Sequence, residues 1–391
     1  LFRPGQISFK LKKNETIVVS ASTEENKYDL KKLFTKELKT KVKLDSLEKV
    51  IDRAATQFIS STERGAEICA GFHWFGRWGR DTFIALPGLT LARGKISLCE
   101  EIMDTMLHDI EGGLLTNIGV GDVKEYNSVD ASLWFFWSLC QLAEAKKSKK
   151  KVWSKYKSKM TEILEAYRNG TMYNIHMDES GLLFSGAEGV ALTWMDAKVN
   201  DVPVTPRRGF AVEINALWYN AIAFSLQCAK GAGDQDFVNA WASVANDIES
   251  NFENKFWNEE KGYLADVYSK EGNDWSFRPN QVFSISLPFP LIKGVKAKLI
   301  LEKVKKELYT PFGMRTLARW DEKYKNKYQG SQETRDYSYH QGIIWPWLLG
   351  SYCEAELKTN GASFKAQIQK INDNFAEEIL KCDSNLSQYC R

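Results

Sequence analysis

From about residue 27 of this 391-residue chain, apolar side chains recur every three to four positions, and the rhythm persists to about residue 380. Such a period puts them on one face of helix after helix. Eleven helices are expected, over 43–60, 81–93, 95–110, 128–146, 152–169, 210–230, 233–254, 280–287, 295–308, 338–358 and 362–380. The loops between them are unequal. The short ones are plain. The long ones, 111–127, 170–209, 255–279 and 309–337, hold the Gly, Pro, Trp, Arg and Asp. This predicts an all-α scaffold, a toroid of helix pairs with its site at one end. No sequence repeat of the solenoid kind is present. Only residues 6–22, QISFKLKKNETIVVSAS, alternate with period two about a turn-like KKNE, and they read as a hairpin left from a preceding β domain.

Composition narrows the function. With 43% hydrophobic residues the chain can bury a large core. A net charge of +3 gives no strong field for polyanions. No apolar run is long enough for a membrane helix, and LFRPGQISFKLKKNE has no signal-peptide core. The four His and seven Cys show no metal-type spacing, so no metal is expected. The scattered cysteines read as reduced thiols of a cytoplasmic protein. The lysine run at 146–159 reads as a solvated helix end, and no nucleic-acid partner is expected.

Five segments mix tryptophan, arginine, carboxylates and amides. In GFHWFGRWGRDTFIALPG, residues 71–88, Arg77 and Arg80 supply guanidinium forks and Asp81 a carboxylate, while Trp74, Phe75 and Trp78 supply flat rings. Sugars present C–H faces to rings and vicinal hydroxyls to such forks. Asp81 reads equally as a helix cap. Asp130 stands at the start of a very apolar helix, as cap or ligand. In LTWMDAKVNDVPVTPRRGFAVEINALWYNA, residues 192–221, Asp196 follows the apolar bulk of Trp194 and Met195. Removal from water holds a proton on a carboxyl to higher pH, as a general acid requires. Arg207, Arg208 and Glu213 follow, Glu213 reading as a sugar ligand or as half of a buried ion pair. Arg278, Asn280 and Gln281 read as architectural. His340, Gln341 and Trp345 complete the set. No phosphate-cradling glycine loop or serine-hydrolase elbow competes with a carbohydrate site.

The stretches HWFGRWGRDTFIALPGL, TWMDAK, VTPRRGFAVEINALWYNA, RPNQ, TPFGMRTL and YHQGIIWPWLLG resemble the amylo-α-1,6-glucosidase family, over about residues 50–358. The resemblance implies an (α/α)6 barrel over 27–391, preceded by the end of a β domain at 1–26. It implies inverting hydrolysis of α-1,6-linked glucose stubs on glycogen or limit dextrin, without a cofactor. Asp196 matches the family's general acid, and Arg80 and Asp81 its glucose-gripping pair. Trp194, Arg207, Glu213, His340 and Trp345 fall in motifs thought to line the pocket. The family's general base, a glutamate in a motif like SEIFDG, has no counterpart here, so the chain reads as shortened at its C-terminus. Glu213, Glu354 and Glu356 do not sit in that motif.

Two alternatives stay open beside this reading, and a third fits less of the sequence. An exo-acting α-1,4-glucosidase would use the same pocket. A glycan-binding module would bind dextrin without releasing glucose. A sugar epimerase would want paired histidines, and the four His are scattered.

Overall fold

The computed structural model describes residues 6–20, 25, 29–40, 46–71, 75–120 and 123–381. The chain divides into two units, Leu1–Ile51 and Asp52–Arg391. In the first, the KKNE turn is present: Glu15 N–H donates to the Lys12 carbonyl at 3.1 Å, and Asn14 takes φ 65°. The expected hairpin strands are absent from residues 6–20. Ile7, Phe9, Leu11 and Val19 stay exposed, and a lone hairpin with nothing to bury is marginal in water. Residues 21 and 22, and the boundary expected at 26–27, fall outside the described residues. A helix outside the eleven expected, α1, spans Leu30–Thr40, and α2, which crosses the unit boundary, spans Leu47–Gln57.

The second unit is mostly helical. Its helices are α3 (Gly79–Leu89), α4 (Ile96–Leu107), α5 (Ala131–Ala145), α6 (Lys149–Asn169), α7 (Val212–Ala232), α8 (Gln235–Phe256), α9 (Phe283–Ser286), α10 (Gly294–Glu307), α11 (Gln332–Ser338), α12 (Leu348–Asn360) and α13 (Lys365–Lys381). Alternate helices touch: α3 packs on α5, α5 on α7, α7 on α9 and α9 on α12. Burial separates two kinds. In α5, 11 of 15 residues are buried and in α7, 16 of 21, so these are wrapped on all sides. In α6 only 7 of 21 are buried and in α8 only 6 of 22, the narrow stripe of a helix with one wet face. Lysines of the 146–159 run use that wet face. Lys155 pairs with Asp104 at 2.8 Å and Lys157 with Asp234 at 2.5 Å.

The expected helix 338–358 is two elements. Between α11 and α12 the chain turns at Gly342, whose φ of +124° suits only glycine. Ile344–Trp345 then forms a short strand antiparallel to Gly313–Arg315. Pro346 follows, and with the turn it breaks the helix. Other long loops also close on small ladders, among them Arg77–Trp78 against Ile118–Val120. Among the described residues no helix is long and apolar enough to cross a membrane.

Candidate active site

The site is assembled from the starts of α3 and α5 and from two loops. Gly79 opens α3. Its N–H donates to the Asn117 carbonyl at 2.9 Å, and a Cβ there would lie 2.1 Å from the Thr116 carbonyl oxygen. This close approach sets the position of Arg80. Asp130 stands at the N-cap of α5 but does not cap it. Ser128 accepts from Ala131 N–H instead, and donates its hydroxyl proton to Asp130 at 2.6 Å. The loop at 192–197 is tied to the same place, since Val129 N–H donates to the Leu192 carbonyl at 2.9 Å.

Arg80 joins these pieces. Its Nε donates to Asp130 at 2.7 Å and its Nη1 to Asp196 at 2.9 Å. Asp130 is sealed, whereas the Asp196 side chain keeps 30% of its surface open to solvent. Asp81, one residue after Arg80, is half-buried in the first turn of α3 and makes no capping bond. Three carboxylates thus face one guanidinium. Burial raises Asp196 above the ordinary carboxylate range; Arg80 opposes the rise and Asp130 adds to it. Burial, with Asp196 and Asp130 close by, pushes Asp81 up to about 6 against the pull of Arg80. Arg80 remains a cation: burial works against its charge, but Asp130 and Asp196 outweigh it. Its Nη2 has no partner.

Aromatic rings adjoin the carboxylates. Trp194 meets His340, Trp345 and Trp347 edge-on, at centroid distances of 5.3, 5.9 and 5.2 Å. His340 stacks on Trp345 at 5.6 Å, is buried, and leaves Nδ1 unpartnered. Burial and the Arg278, Arg80 and Arg207 cations hold its imidazole neutral. Tyr339, half-buried, meets Trp345 at 4.9 Å.

Other expected site residues lie elsewhere. Arg77 is buried with Nη1 on Glu67 at 2.9 Å and Nη2 on Asp109 at 2.5 Å, and neither partner touches the Arg80 cluster. Arg207 and Glu213 form a sealed two-pronged pair, with Arg207 Nε also donating to Asp266 at 2.7 Å. Asp266 connects this pair to the pocket. Asn280 donates to Asp266 at 2.7 Å and accepts from Trp194 Nε1 at 2.8 Å. Gln341 is buried between Arg278 and Thr205. Arg208 is exposed and lies over Gly186. Trp74 lies outside the described residues. Sequence reasoning missed Tyr339 and Asp266. For Asp266 the signal was available: a lone acid in the apolar run YLADVY. Among the described residues no group of three or more His, Cys, Asp or Glu could hold a metal ion. Cys69, Cys99, Cys140, Cys228 and Cys353 are free thiols, and Cys382 and Cys390 fall outside the described residues.

The profile of a family described as amylo-alpha-1,6-glucosidase matches residues 53–388. The chain belongs to that family. It is therefore of glycoside hydrolase type. It is 25% identical over 375 residues to a glycogen debranching enzyme of Saccharomyces cerevisiae, covering 71% of this chain and 24% of the relative. The chain thus spans about a quarter of that relative's length. In fold it is similar to a GH63 mannosylglycerate hydrolase from Thermus thermophilus (TM-score 0.62, 11% identity, covering 84% of this chain and 92% of the other). It is also similar to a rhamnosidase from Klebsiella oxytoca (TM-score 0.52, 12% identity, covering 82% and 53%). At such identities the likeness bears on the fold alone.

Proposed function

We propose that the chain removes α-1,6-linked glucose stubs from a branched α-glucan such as glycogen or limit dextrin, on an (α/α)6 barrel. The observation that carries this reading is the Asp196 carboxyl. It is open to solvent, raised above the ordinary carboxylate range, and held by Arg80 beside Asp81 and a wall of aromatic rings. Asp196, whose proton affinity burial raises, gives its proton to the glycosidic oxygen as the bond breaks. Asp81 takes a hydroxyl of the terminal glucose, and Trp194 and Trp345 cover its faces. The sealed Arg207–Glu213–Asp266 cluster acts indirectly, by holding Trp194 through Asn280. Asp130 holds Arg80.

Inversion also needs a base that activates water about 6.5–9.5 Å from the acid. None of the glutamates weighed above is assigned that role. Glu213 is sealed against Arg207, buried Glu356 accepts from Asn360, and Glu354 lies beside Lys358. The chemistry is acid–base throughout and calls for no cofactor. A cytoplasmic setting suits the free thiols.

The test is Asp196→Asn. Glucose release from limit dextrin should fall by about 10²–10⁴-fold. A rate like that of the parent chain would remove Asp196 from the mechanism.

A further inference from the structure

Residues 128–130 reach the loop of Asp196 by two routes. The first is backbone. Val129 N–H donates to the Leu192 carbonyl at 2.9 Å, and the Val129 carbonyl accepts from the Tyr167 hydroxyl at 2.9 Å. The second runs through side chains. The Ser128 hydroxyl donates to Asp130 Oδ1 at 2.6 Å, and Asp130 Oδ2 accepts from Arg80 Nε at 2.7 Å. Arg80 Nη1 then donates to Asp196 at 2.9 Å. Ser128 and Asp130 are both sealed from solvent.

Aspartate is among the residues that cap a helix best, by accepting from N–H groups of the first turn. Asp130 stands where such a cap belongs and makes no capping bond. Ser128 prevents it in two ways. Its oxygen accepts from Ala131 N–H at 3.1 Å, which occupies one donor of that turn. Its proton holds Asp130 Oδ1, which leaves Oδ2 for the guanidinium.

We propose that Ser128 is a positioning residue: its hydroxyl caps α5 in place of Asp130 and keeps the Asp130 carboxylate turned to Arg80, which holds Asp196. This rests on the glucosidase reading above for the part that Asp196 plays. Arg80, Asp130, Asp81 and the Tyr339 phenol face Asp196. Burial raises its proton affinity, Arg80 lowers it and Asp130 adds to the rise. Without the Ser128 hydroxyl, Asp130 turns to the vacated N–H of α5. Asp196 then loses a neighbouring negative charge and no longer shares Arg80 with Asp130. Both changes favour its carboxylate form.

Carbon-13 NMR of the aspartate carboxyls in the intact chain tests this without turnover. The Asp196 signal is identified by its absence from Asp196→Asn. In Ser128→Ala the Asp196 titration should move to lower pH. Ser128→Cys fills the site with a weaker donor and should move it the same way, so it carries the test if the alanine variant does not fold. Ser128→Thr keeps the hydroxyl and should titrate as the parent chain does, whatever its added methyl does to the thermal midpoint. An unmoved titration in Ser128→Ala and Ser128→Cys overturns the assignment. So does a move to higher pH, which is the result of losing Arg80 itself. The same downward move in Ser128→Thr assigns the effect to packing and also overturns it. The glucosidase reading is tested separately. It falls if the parent chain neither binds 1-deoxynojirimycin, a cationic mimic of a single glucose, nor releases glucose from limit dextrin. The titration still decides the role of Ser128 in that case.

Discussion

Arg80 and Asp196 are 116 residues apart in the chain and 2.9 Å apart at their polar atoms. The same guanidinium binds Asp130 through Nε, so one side chain holds the candidate acid to the start of α5. Arg80 therefore has two separable effects, on stability through Asp130 and on proton affinity through Asp196.

Arg80→Met should show both. It leaves Asp130 buried without its cation, which costs about 3–5 kcal/mol, read from the urea midpoint. It also removes the cation that most opposes the raised Asp196, so Asp196 holds its proton to higher pH. The rate falls when the acid loses its proton, so the alkaline limb of the residual pH–rate profile should move upward. An unmoved limb with an unmoved midpoint would contradict this account of Arg80.

Asp81 carries a pH prediction of its own. Its folded value of about 6 lies above the ordinary 3.8. Below 3.8 both folded and unfolded chains are protonated there, and nothing is lost. Between 3.8 and 6 the unfolded chain has released the proton while the folded chain still holds it. Stability then falls with rising pH, by about 1–3 kcal/mol in all. Asp81→Asn should remove this loss, so the variant is more stable than the parent chain at pH 7 while binding deoxynojirimycin less tightly. Denaturant midpoints at pH 4 and pH 7 for both proteins measure it, and the same pH slope in both would exclude Asp81 as its source.

Two glycines of α3 should respond in opposite ways. Gly79→Ala drives a methyl to within 2.1 Å of the Thr116 carbonyl, so the start of α3 must shift, and Arg80 with it. A loss of about 1–3 kcal/mol and of most activity is expected. Gly88→Ala meets nothing within 4 Å, and alanine in a helix gains about 0.5–1 kcal/mol over glycine. Thermal melts of the two variants should move to opposite sides of the parent chain.

Much of the frame was legible in the sequence. The wrapped helices α5 and α7 announce themselves as apolar on every face, and the mixture of rings, forks and carboxylates marked Arg80, Asp81 and Asp196. Residues of the same type with different partners were not legible. Arg77 and Arg80 stand three positions apart, yet Arg77 belongs to a strand paired with Ile118–Val120 and reaches Asp109, whereas Arg80 lies in the first turn of α3. Which carboxylate a fork meets depends on contacts distant in sequence, which a local pattern does not contain. Tyr339 was hidden by a different cause. Reading 338–358 as one helix passed over Gly342 and Pro346, the punctuation that divides it. The helix at α1 was passed over too, although Leu30, Leu33, Phe34 and Leu38 stand at helical spacing; in the structure Leu33, Phe34 and Leu38 stay exposed.

The bond from Asn280 to Trp194 yields the last prediction. Asn280 is fully buried and uses its amide in two directions, accepting from Trp194 Nε1 at 2.8 Å and donating to Asp266 at 2.7 Å. Asn280→Leu removes both bonds and leaves the Trp194 indole N–H without a partner, while Asp266 Oδ1 keeps its bond from Arg207 Nη2 at 3.1 Å. Such an orphan costs about 1–3 kcal/mol. Asn280→Asp keeps the acceptor for Trp194 but sets a second carboxylate against Asp266 in a dry site. The new carboxyl then keeps its proton in the folded chain after the unfolded chain has lost it. Its stability should therefore fall as pH rises above about 4, whereas the Asn280→Leu loss should not change with pH. Asn280→Leu frees the Trp194 loop, so kcat should drop with it, whereas Asn280→Asp keeps that bond and should hold kcat closer to the parent chain. Urea midpoints across pH 4–8, beside the kinetics, separate the two cases. A pH-independent midpoint for Asn280→Asp would mean that Asp266 does not face this amide as a charge.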